Sequence, residues 1–230
     1  MNDILNSLSD LVRTNLELTQ PIVIHCAAGS GKTTLIKKIV KTKRGLFKAY
    51  TTSNNTSRDY ESHIIQKYNP ELEYDNNCIL DEYPILNKEE LIKFGAIFCD
   101  PLQYHCTQFQ AHYIQNRSHR LGVQTCNLLQ SINKDIIGYK EDKVIIEDIF
   151  TGEPEGVIVC FEEEIVELLR AHQADFSFYE EIIGKEFETV TLVTTKQIEE
   201  LTDHKSYICL TRHKNTLKIL KPNAISSSSE

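Results

Sequence analysis

Short apolar runs rich in β-branched residues alternate with amphipathic stretches along most of the chain. Runs of this kind, bounded by polar or glycine-containing segments, predict buried strands, and apolar residues at helical spacing predict helices. The alternation therefore predicts an α/β fold with parallel sheets. The predicted strands are 22–24, 46–52, 78–80 and 95–99 in the first half, and 111–115, 143–149, 156–161, 188–194 and 216–220 in the second half.

The helical pattern begins near the N-terminus. Apolar positions within residues 3–18 recur at helical spacing and predict an amphipathic helix that caps the sheet. Residues 143–149 and 156–161 are expected to pair around the turn TGEPEG. Further helices are predicted from residue 32 to about 40, from the polar loop after 52 to about 70, from the cap at Asn87, from 123 to 132, and from 162 to 169.

The pattern divides into two α/β halves, residues 1–110 and 111–222, without detectable repetition between them. Each half contains its own set of strands and helices, so we expect two domains. Residues 223–230, NAISSSSE, are small and polar. Such a segment buries too little apolar surface to offset the entropy of ordering, so we expect a disordered tail.

Composition limits the kinds of partner. The 230 residues are 40% apolar and 25% charged, with a formal net charge of −8. An acidic protein of this kind does not coat nucleic acid by bulk electrostatics, so any nucleic-acid contact must be local. No apolar run is long enough to predict a membrane span, and the N-terminus lacks the features of a signal peptide.

The seven cysteines are odd in number, scattered, and contain no C-x-x-C pair. Neither a disulfide framework nor a zinc site is indicated, and a reducing cytosol fits best.

A small-residue loop, Ala-Ala-Gly-Ser-Gly, follows the strand at 22–24 and leads into a helix. Its backbone N–H groups can approach an anion without intervening side chains. In this phosphate-loop pattern Lys32 reaches the β- and γ-phosphates of a nucleotide and the Thr33 hydroxyl is a ligand of Mg²⁺. Cys26 stands where the strict pattern has glycine. The predicted nucleotide-binding residues are Gly29, Ser30, Gly31, Lys32, Thr33 and Thr34.

Polar residues follow two further strands. Asp81 and Glu82 end the strand at 78–80, and Gln103 follows the strand at 95–99. After a phosphate loop, Asp81 is predicted to hold Mg²⁺ and Glu82 to orient or deprotonate the attacking water. Gln103 is predicted to sense the γ-phosphate, because ligands of open α/β sheets lie beyond the carboxyl ends of the strands.

Six segments in order carry a family resemblance: HCAAGSGKTT, LDEYP, FCDPLQY, SHRLGVQTCNLL, EFETVTLV and YICLTRHKNTLKIL. They resemble the ordered motifs of viral superfamily 1 RNA helicases, from about residue 21 to 220. The short chain and the wording SHRLG and YICLTRH are similar to the first proteins of the plant-virus triple gene block, movement proteins of potexviruses, carlaviruses and their relatives. Cys26 and Cys99 depart from the family pattern.

The resemblance implies a P-loop NTPase with two RecA-like domains and ATP with Mg²⁺ in the cleft between them. A transferring phosphoryl group needs a further cation, usually a guanidinium. By resemblance to helicase motifs IV and VI, Arg120 and Arg212 are the candidates. The predicted catalytic residues are Lys32, Glu82, Gln103, Arg120 and Arg212, and the predicted magnesium ligands are Thr33 and Asp81.

The function implied by the resemblance is that of an ATP-dependent RNA helicase that moves viral RNA from cell to cell and suppresses host RNA silencing. The implied partners are single-stranded viral RNA, the viral coat protein, other movement proteins and further copies of the chain. The implied location is the host cytoplasm and the plasmodesmata.

Two alternatives stay open at the level of sequence. An RNA-binding ATPase could remodel or assemble ribonucleoprotein without processive unwinding, since two bare halves offer little to act as a strand-separating wedge. A small-molecule kinase could use the same loop, but it leaves the segments around Gln103 and Arg212 unexplained.

Overall fold

The computed structural model describes residues 5, 11–42, 45–53, 64–107 and 109–223. The chain divides into two compact units, Met1–Arg117 and Ser118–Glu230. Each unit contains its own sheet, and the predicted α/β fold with parallel sheets is confirmed.

The first unit contains a seven-stranded sheet in the order β1-β7-β2-β6-β5-β3-β4. Every neighbouring pair is parallel except β1 and β7, which are antiparallel. The strands are β1 Val12–Arg13, β2 Ile22–Cys26, β3 Lys48–Thr51, β4 Ile65–Lys67, β5 Cys78–Asp81, β6 Ala96–Cys99 and β7 Tyr113–Gln115. The helices are α1 Lys32–Thr42 and α2 Lys88–Leu91, and short 3-10 turns span Tyr83–Ile85 and Pro101–Gln103.

Both faces of this sheet are covered, which explains why residues 22–24 of β2 are continuously apolar rather than alternating. Ile22 and Ile24 pack in the same core cluster as Ile36 and Ile39 of α1. Val23, whose side chain points to the other face, packs in a second cluster with Leu80 and Ile97 of the neighbouring strands. Burying each of these side chains contributes roughly 1.5–3 kcal/mol. This packing fixes the end of β2 relative to α1.

The second unit contains a five-stranded parallel sheet in the order β10-β14-β13-β11-β12 and a two-stranded ribbon of β8 and β9. The strands are β8 Arg117–Gly122, β9 Ile137–Lys140, β10 Lys143–Asp148, β11 Val157–Cys160, β12 Phe176–Phe178, β13 Phe187–Val193 and β14 His213–Lys221. The helices are α3 Val123–Ser131, α4 Glu163–Ala171 and α5 His204–Leu210, with 3-10 turns at Tyr179–Ile182 and Ile198–Glu200.

The predicted N-terminal helix over 3–18 is wrong from residue 11 onwards. Val12–Arg13 form an edge strand antiparallel to β7, and the Arg13 guanidinium donates to the carbonyl of His112 over 3.1 Å. Pairing with a distant strand therefore overrides the local helical spacing. Residues 1–4 and 6–10 lie outside the described residues. The strand predicted at 111–115 belongs to the first sheet, as β7, rather than opening the second half.

Two further predictions are wrong. Residues 65–67, placed in a helix, form a strand parallel to β3, while 54–63 lie outside the described part of the chain. The strands at 143–148 and 157–160 do not pair with each other, because β14 and β13 lie between them. The turn TGEPEG has hairpin composition, but a connection between two strands of a parallel sheet cannot be a tight hairpin. The predicted disordered tail comprises residues 223–230. Of these, Asn223 alone belongs to the described residues.

A buried carboxylate joins three segments of the second unit. Asp142 accepts hydrogen bonds from the backbone N–H groups that open α3, those of Gly122, Gln124 and Thr125, over 3.1, 2.8 and 3.2 Å. A Cβ at Gly122 would lie 2.4 Å from the Asp142 Cγ, so the approach requires glycine. His213 Nε2 bonds to Thr125 Oγ1 over 2.8 Å and lies 3.8 Å from Asp142. The segment SHRLG and the His213 segment are thus held together around one carboxylate.

We expect Asp142→Ala to lower the free energy of unfolding by about 2–4 kcal/mol, because it leaves buried backbone donors without an acceptor. Urea unfolding at pH 7 measures this, with the exposed Asp175→Ala as the matched control. Burial disfavours the Asp142 charge, but the neighbouring His213 and hydrogen bonds from Thr125 and Gln124 outweigh it and lower the pKa of Asp142 to about 2.

Because the folded-state pKa of Asp142 lies below the usual aspartate value of 3.8, its charge-dependent stabilisation is complete above about pH 4. It is lost as the pH falls towards 2, so the difference between wild type and Asp142→Ala should shrink over that range. Equal urea midpoints for the two proteins at pH 7 would contradict the role of this carboxylate.

Candidate functional site

The loop between β2 and α1 has a backbone shape that requires glycine. Gly29 and Gly31 have φ values of 71° and 80°, in the left-handed region that other residues rarely adopt. Ser30 between them is buried, and its Oγ makes no hydrogen bond of standard geometry to the described residues. The helix α1 begins at Lys32, directly after this turn, so its first N–H groups lie at the loop. A strand, a glycine turn and a helix start in this order favour binding of an anion.

The two cysteines that depart from the family pattern are accommodated without changing the loop. Cys26 is the last residue of β2 and Cys99 the last residue of β6, so both have extended backbones that do not require glycine. Both side chains are buried. Burial raises the pKa of Cys26 to about 12 and also raises that of Cys99, so both thiols stay neutral and pack as small apolar groups.

The structure brings Lys32, Asp81 and Glu82 together. The Lys32 Nζ lies 2.9 Å from Asp81 Oδ1 and also forms an ion pair with Glu82 Oε1. Burial opposes the Lys32 charge, but the two carboxylates outweigh burial and raise the pKa of Lys32 well above its usual value. Burial raises the pKa of Asp81 to about 6, against the attraction of Lys32. One cation is therefore shared by two carboxylates at the end of β5.

Glu82 has an unusual backbone conformation, with φ 58° and ψ 47°. A left-handed residue other than glycine costs on the order of 1–3 kcal/mol and persists only where its surroundings hold it. Here the Glu82 N–H donates to Asp81 Oδ1 over 3.0 Å, and the Thr52 hydroxyl donates to the Glu82 carbonyl over 2.5 Å. The side chain is held too, because the Tyr104 hydroxyl donates to Glu82 Oε2 over 2.7 Å.

Gln103 ends the 3-10 turn that follows β6. Its Nε2 donates to Asp100 Oδ2 over 2.8 Å, and Asp100 caps the turn by accepting the Leu102 N–H over 3.2 Å. The register places Cys99 beside His25 of β2 and Phe98 beside Asp81 of β5. The turn therefore begins at the carboxyl end of the sheet, beside the phosphate loop and the acidic pair.

Thr33 and Thr34 are exposed in the first turn of α1. Their predicted binding of nucleotide, and of Mg²⁺ by Thr33, stays a prediction.

The predicted arginines belong to the second unit. Arg120 forms an ion pair with Glu186, and its Nε is buried without a hydrogen-bond partner among the described residues. Arg212 is 3% exposed, and its Nε donates to the Ile208 carbonyl over 3.2 Å at the end of α5. Their action on a phosphate stays a prediction.

Sequence reasoning missed Thr52 and Tyr104. Thr52 follows β3, which neighbours β5 in the sheet, so knowledge of the strand order could have pointed to it. Tyr104 lies within the segment FCDPLQY, but it contacts Glu82 only through the tertiary fold. Its position gave no sign of what its hydroxyl contacts.

Comparisons with known proteins decide the family. Residues 22–221 match the model of the viral superfamily 1 RNA helicase core domain. The movement and silencing protein TGBp1 of Papaya mosaic potexvirus is 35% identical over 228 residues, covering 96% of each chain. The chain belongs to the TGBp1 family of movement and silencing proteins, with a viral superfamily 1 helicase core. Among other TGBp1 relatives, that of Lily symptomless virus is 33% identical over the whole of both chains. The family predicted from the six motifs is confirmed.

Solved structures place this TGBp1 family member in the helicase fold. The arterivirus nonstructural protein 10 helicase superposes with a TM-score of 0.64 at 17% identity, over 89% of this chain. The same helicase in complex with DNA gives a TM-score of 0.60 at 16% identity. The chain spans about three fifths of the length of these helicases, 60% and 61% respectively. At this identity the likeness concerns the fold.

Within the described part of this family member, none of the helices has the length and apolar character needed to cross a membrane.

Proposed function

We propose that the first unit binds ATP with Mg²⁺ and hydrolyses ATP, and that single-stranded RNA stimulates the reaction. The observation that carries this proposal is the meeting of Lys32 with Asp81 and Glu82 beside a loop shaped by two left-handed glycines. A partly buried cation shared by two carboxylates at the end of β5, beside the phosphate loop, suits phosphoryl transfer better than a purely structural role.

The residues present fit a magnesium nucleotide. Among the described residues the buried Ser30 hydroxyl has no hydrogen-bond partner of standard geometry, and the loop glycines keep side chains away from an approaching phosphate. Thr33 and Asp81 would hold Mg²⁺, which when bound neutralises charge on the phosphate oxygens. Lys32 would contact the β- and γ-phosphates, and Gly29, Ser30, Gly31 and Thr34 would complete the cradle.

The ion pair with Lys32 sets the order of events at Glu82. In the structure the Lys32 Nζ forms an ion pair with Glu82 Oε1. Once Lys32 bonds to phosphate oxygens instead, Oε1 is released and can accept a proton from the attacking water. Glu82 is therefore the general base, Gln103 the sensor of the γ-phosphate, and Arg120 and Arg212 the cations that offset developing charge.

We further propose that the hydrolysis cycle drives unwinding or movement of viral RNA in the host cytoplasm and at plasmodesmata. Single-stranded viral RNA is the proposed substrate, and the coat protein, other movement proteins and further copies of the chain are proposed partners. Membership of a family of movement and silencing proteins supports this role.

A second candidate is an RNA-binding ATPase that remodels ribonucleoprotein without processive unwinding. It is favoured by the make-up of the described residues, two compact units whose sheets and helices offer little to act as a strand-separating wedge. The two candidates separate in one experiment, an ATPase assay with single-stranded RNA run beside a strand-displacement assay on a partial duplex. RNA-stimulated hydrolysis with displacement supports the helicase. The same hydrolysis without displacement supports the second candidate, and no hydrolysis contradicts both.

RNA binding should depend on salt with a modest slope and only weakly on sequence. With a net charge of −8, contacts to RNA phosphates must come from local basic groups, so only a few counterions are released on binding. Backbone and stacking contacts do not read base edges. Titrations of labelled single-stranded RNA at several salt concentrations measure the slope. Strong preference for one sequence over scrambled controls at fixed salt would contradict this mode of binding.

A further inference from the structure

A tyrosine hydroxyl holds one oxygen of the proposed catalytic carboxylate. The Tyr104 hydroxyl donates to Glu82 Oε2 over 2.7 Å, while Lys32 pairs with the other oxygen. The Tyr104 ring packs against the buried cluster of the first unit that contains Leu80 and Cys99. Packing of the ring against the core and the hydrogen bond to Glu82 together fix the position of the hydroxyl.

The hydroxyl acts as a donor throughout the pH range in which the protein would work. Burial, followed by the charge of Glu82, raises the pKa of Tyr104 far above its usual value. A neutral phenol beside an ionised carboxylate donates its proton into a short, charge-assisted hydrogen bond. The contact therefore favours the ionised form of the carboxylate, which is the form a general base needs.

The two contacts at the Glu82 carboxylate differ in what happens to them when a phosphate arrives. Lys32 belongs to the phosphate loop and is proposed to leave Glu82 for the nucleotide, whereas Tyr104 belongs to the segment after β6 and can stay. After Lys32 leaves, the Tyr104 hydroxyl can keep its hydrogen bond to Oε2, so that Oε1 faces the attacking water. A glutamate side chain that loses such a bond samples more rotamers.

We propose that Tyr104 is a positioning residue that orients Glu82 for proton abstraction. This inference rests on the proposed ATPase function of the first unit. The inference also links the proposed γ-phosphate sensor, Gln103, to the proposed general base, Glu82. Tyr104 directly follows Gln103 and caps the end of the same 3-10 turn, where its N–H donates to the Pro101 carbonyl. A displacement of the γ-phosphate sensor would therefore reach the general base through one peptide unit and one hydrogen bond.

Tyr104→Phe tests the proposal, because it removes the hydroxyl and keeps the ring that packs in the core. The chain offers a matched control in Tyr68→Phe, since the Tyr68 hydroxyl donates to Glu90 Oε1 over 2.8 Å in the same unit. Both variants lose one tyrosine-to-glutamate hydrogen bond, so a general loss of stability affects both. An effect on chemistry should affect Tyr104→Phe alone.

We expect Tyr104→Phe to lower kcat for ATP about tenfold or more, with the KM for ATP within about threefold of wild type. The split between kcat and KM separates loss of positioning from loss of nucleotide binding. Tyr68→Phe should leave both kcat and KM unchanged. A kcat within about twofold of wild type, or an equal loss in Tyr68→Phe, would overturn the proposal.

A second measurement does not depend on hydrolysis. In nucleotide-free protein labelled with ¹³C at glutamate carboxyls, the Glu82 resonance is assigned by its loss in Glu82→Gln. We expect the Glu82 carboxyl resonance to shift in Tyr104→Phe at fixed pH, because the carboxylate loses a hydrogen-bond donor, and to keep its wild-type position in Tyr68→Phe. An unchanged Glu82 resonance in Tyr104→Phe would overturn the inference even in an active enzyme. A shifted resonance in Tyr104→Phe, together with a wild-type chain that hydrolyses no ATP, would support the contact while contradicting the proposed function.

Discussion

Lys32→Ala should abolish ATP hydrolysis, lowering kcat/KM at least about 10²-fold. The side chain removed supplies the point charge that would contact the β- and γ-phosphates through charge-assisted hydrogen bonds. The helix start and the glycine loop remain, so weak nucleotide binding can persist while turnover is lost. Steady-state release of phosphate measures the loss of activity, and equilibrium binding of labelled ATP measures the loss of affinity.

The same substitution also changes the protein without nucleotide, so its controls matter. Asp81 and Glu82 lose their shared cation, and the pKa of Asp81, which burial raises to about 6, should rise further. Circular dichroism and a thermal melt must show that the variant is folded. Lys38→Ala, on the exposed side of the same helix, is the matched control and should retain full activity. A folded Lys32→Ala that hydrolyses ATP normally would refute the phosphate-loop interpretation.

Arg212→Ala should bind ATP within roughly tenfold of wild type yet hydrolyse it at least about 10²-fold more slowly. A guanidinium that offsets charge developing on the phosphoryl group acts mainly in the transition state, so its loss lowers kcat more than it weakens binding. The side chain also donates to the Ile208 carbonyl and is 3% exposed. Removing it should cost about 1–3 kcal/mol of stability, which urea unfolding measures separately.

Two further variants separate charge from structure at this position. Arg212→Lys should restore little activity, since an ammonium cannot reproduce the planar fork that spans two phosphate oxygens. Arg170→Ala removes an exposed arginine of the same unit and should behave as wild type. If Arg212→Ala hydrolyses ATP at a near-normal rate with RNA present, Arg212 is a structural residue.

The positions of the glycine turn after β2 and of the acidic pair at the end of β5 could be predicted from sequence because their signals are local. The β-branched run of β2 directly precedes a glycine turn and a helix start, and one continuous segment contains all three. The predicted cap at Asn87 is confirmed for the same reason. Its side chain accepts the Glu90 N–H over 2.9 Å, and its own N–H donates to the Glu90 carboxylate over 3.3 Å.

The errors concern contacts between segments distant in sequence. Val12–Arg13 form a strand because they pair with β7, which lies about a hundred positions later in the chain. The local spacing of apolar residues contains no information about this pairing. The composition of the turn TGEPEG predicts that the strands on either side of it pair with each other. In the sheet, β13 and β14 lie between these two strands. The bond from Tyr104 to Glu82 likewise arises only when the ends of β5 and β6 lie side by side. Sequence therefore located the candidate site but not the groups that hold it in shape.

Turnover of ATP by the full wild-type chain tests the central claim most directly. Phosphate release should be measured with Mg²⁺, in the presence and absence of single-stranded RNA, with folded Lys32→Ala prepared identically as the blank. We expect steady hydrolysis that RNA stimulates and that is absent from Lys32→Ala. Hydrolysis no faster than the blank, or equal hydrolysis by both proteins, would contradict a nucleotide site built on Lys32, Asp81 and Glu82.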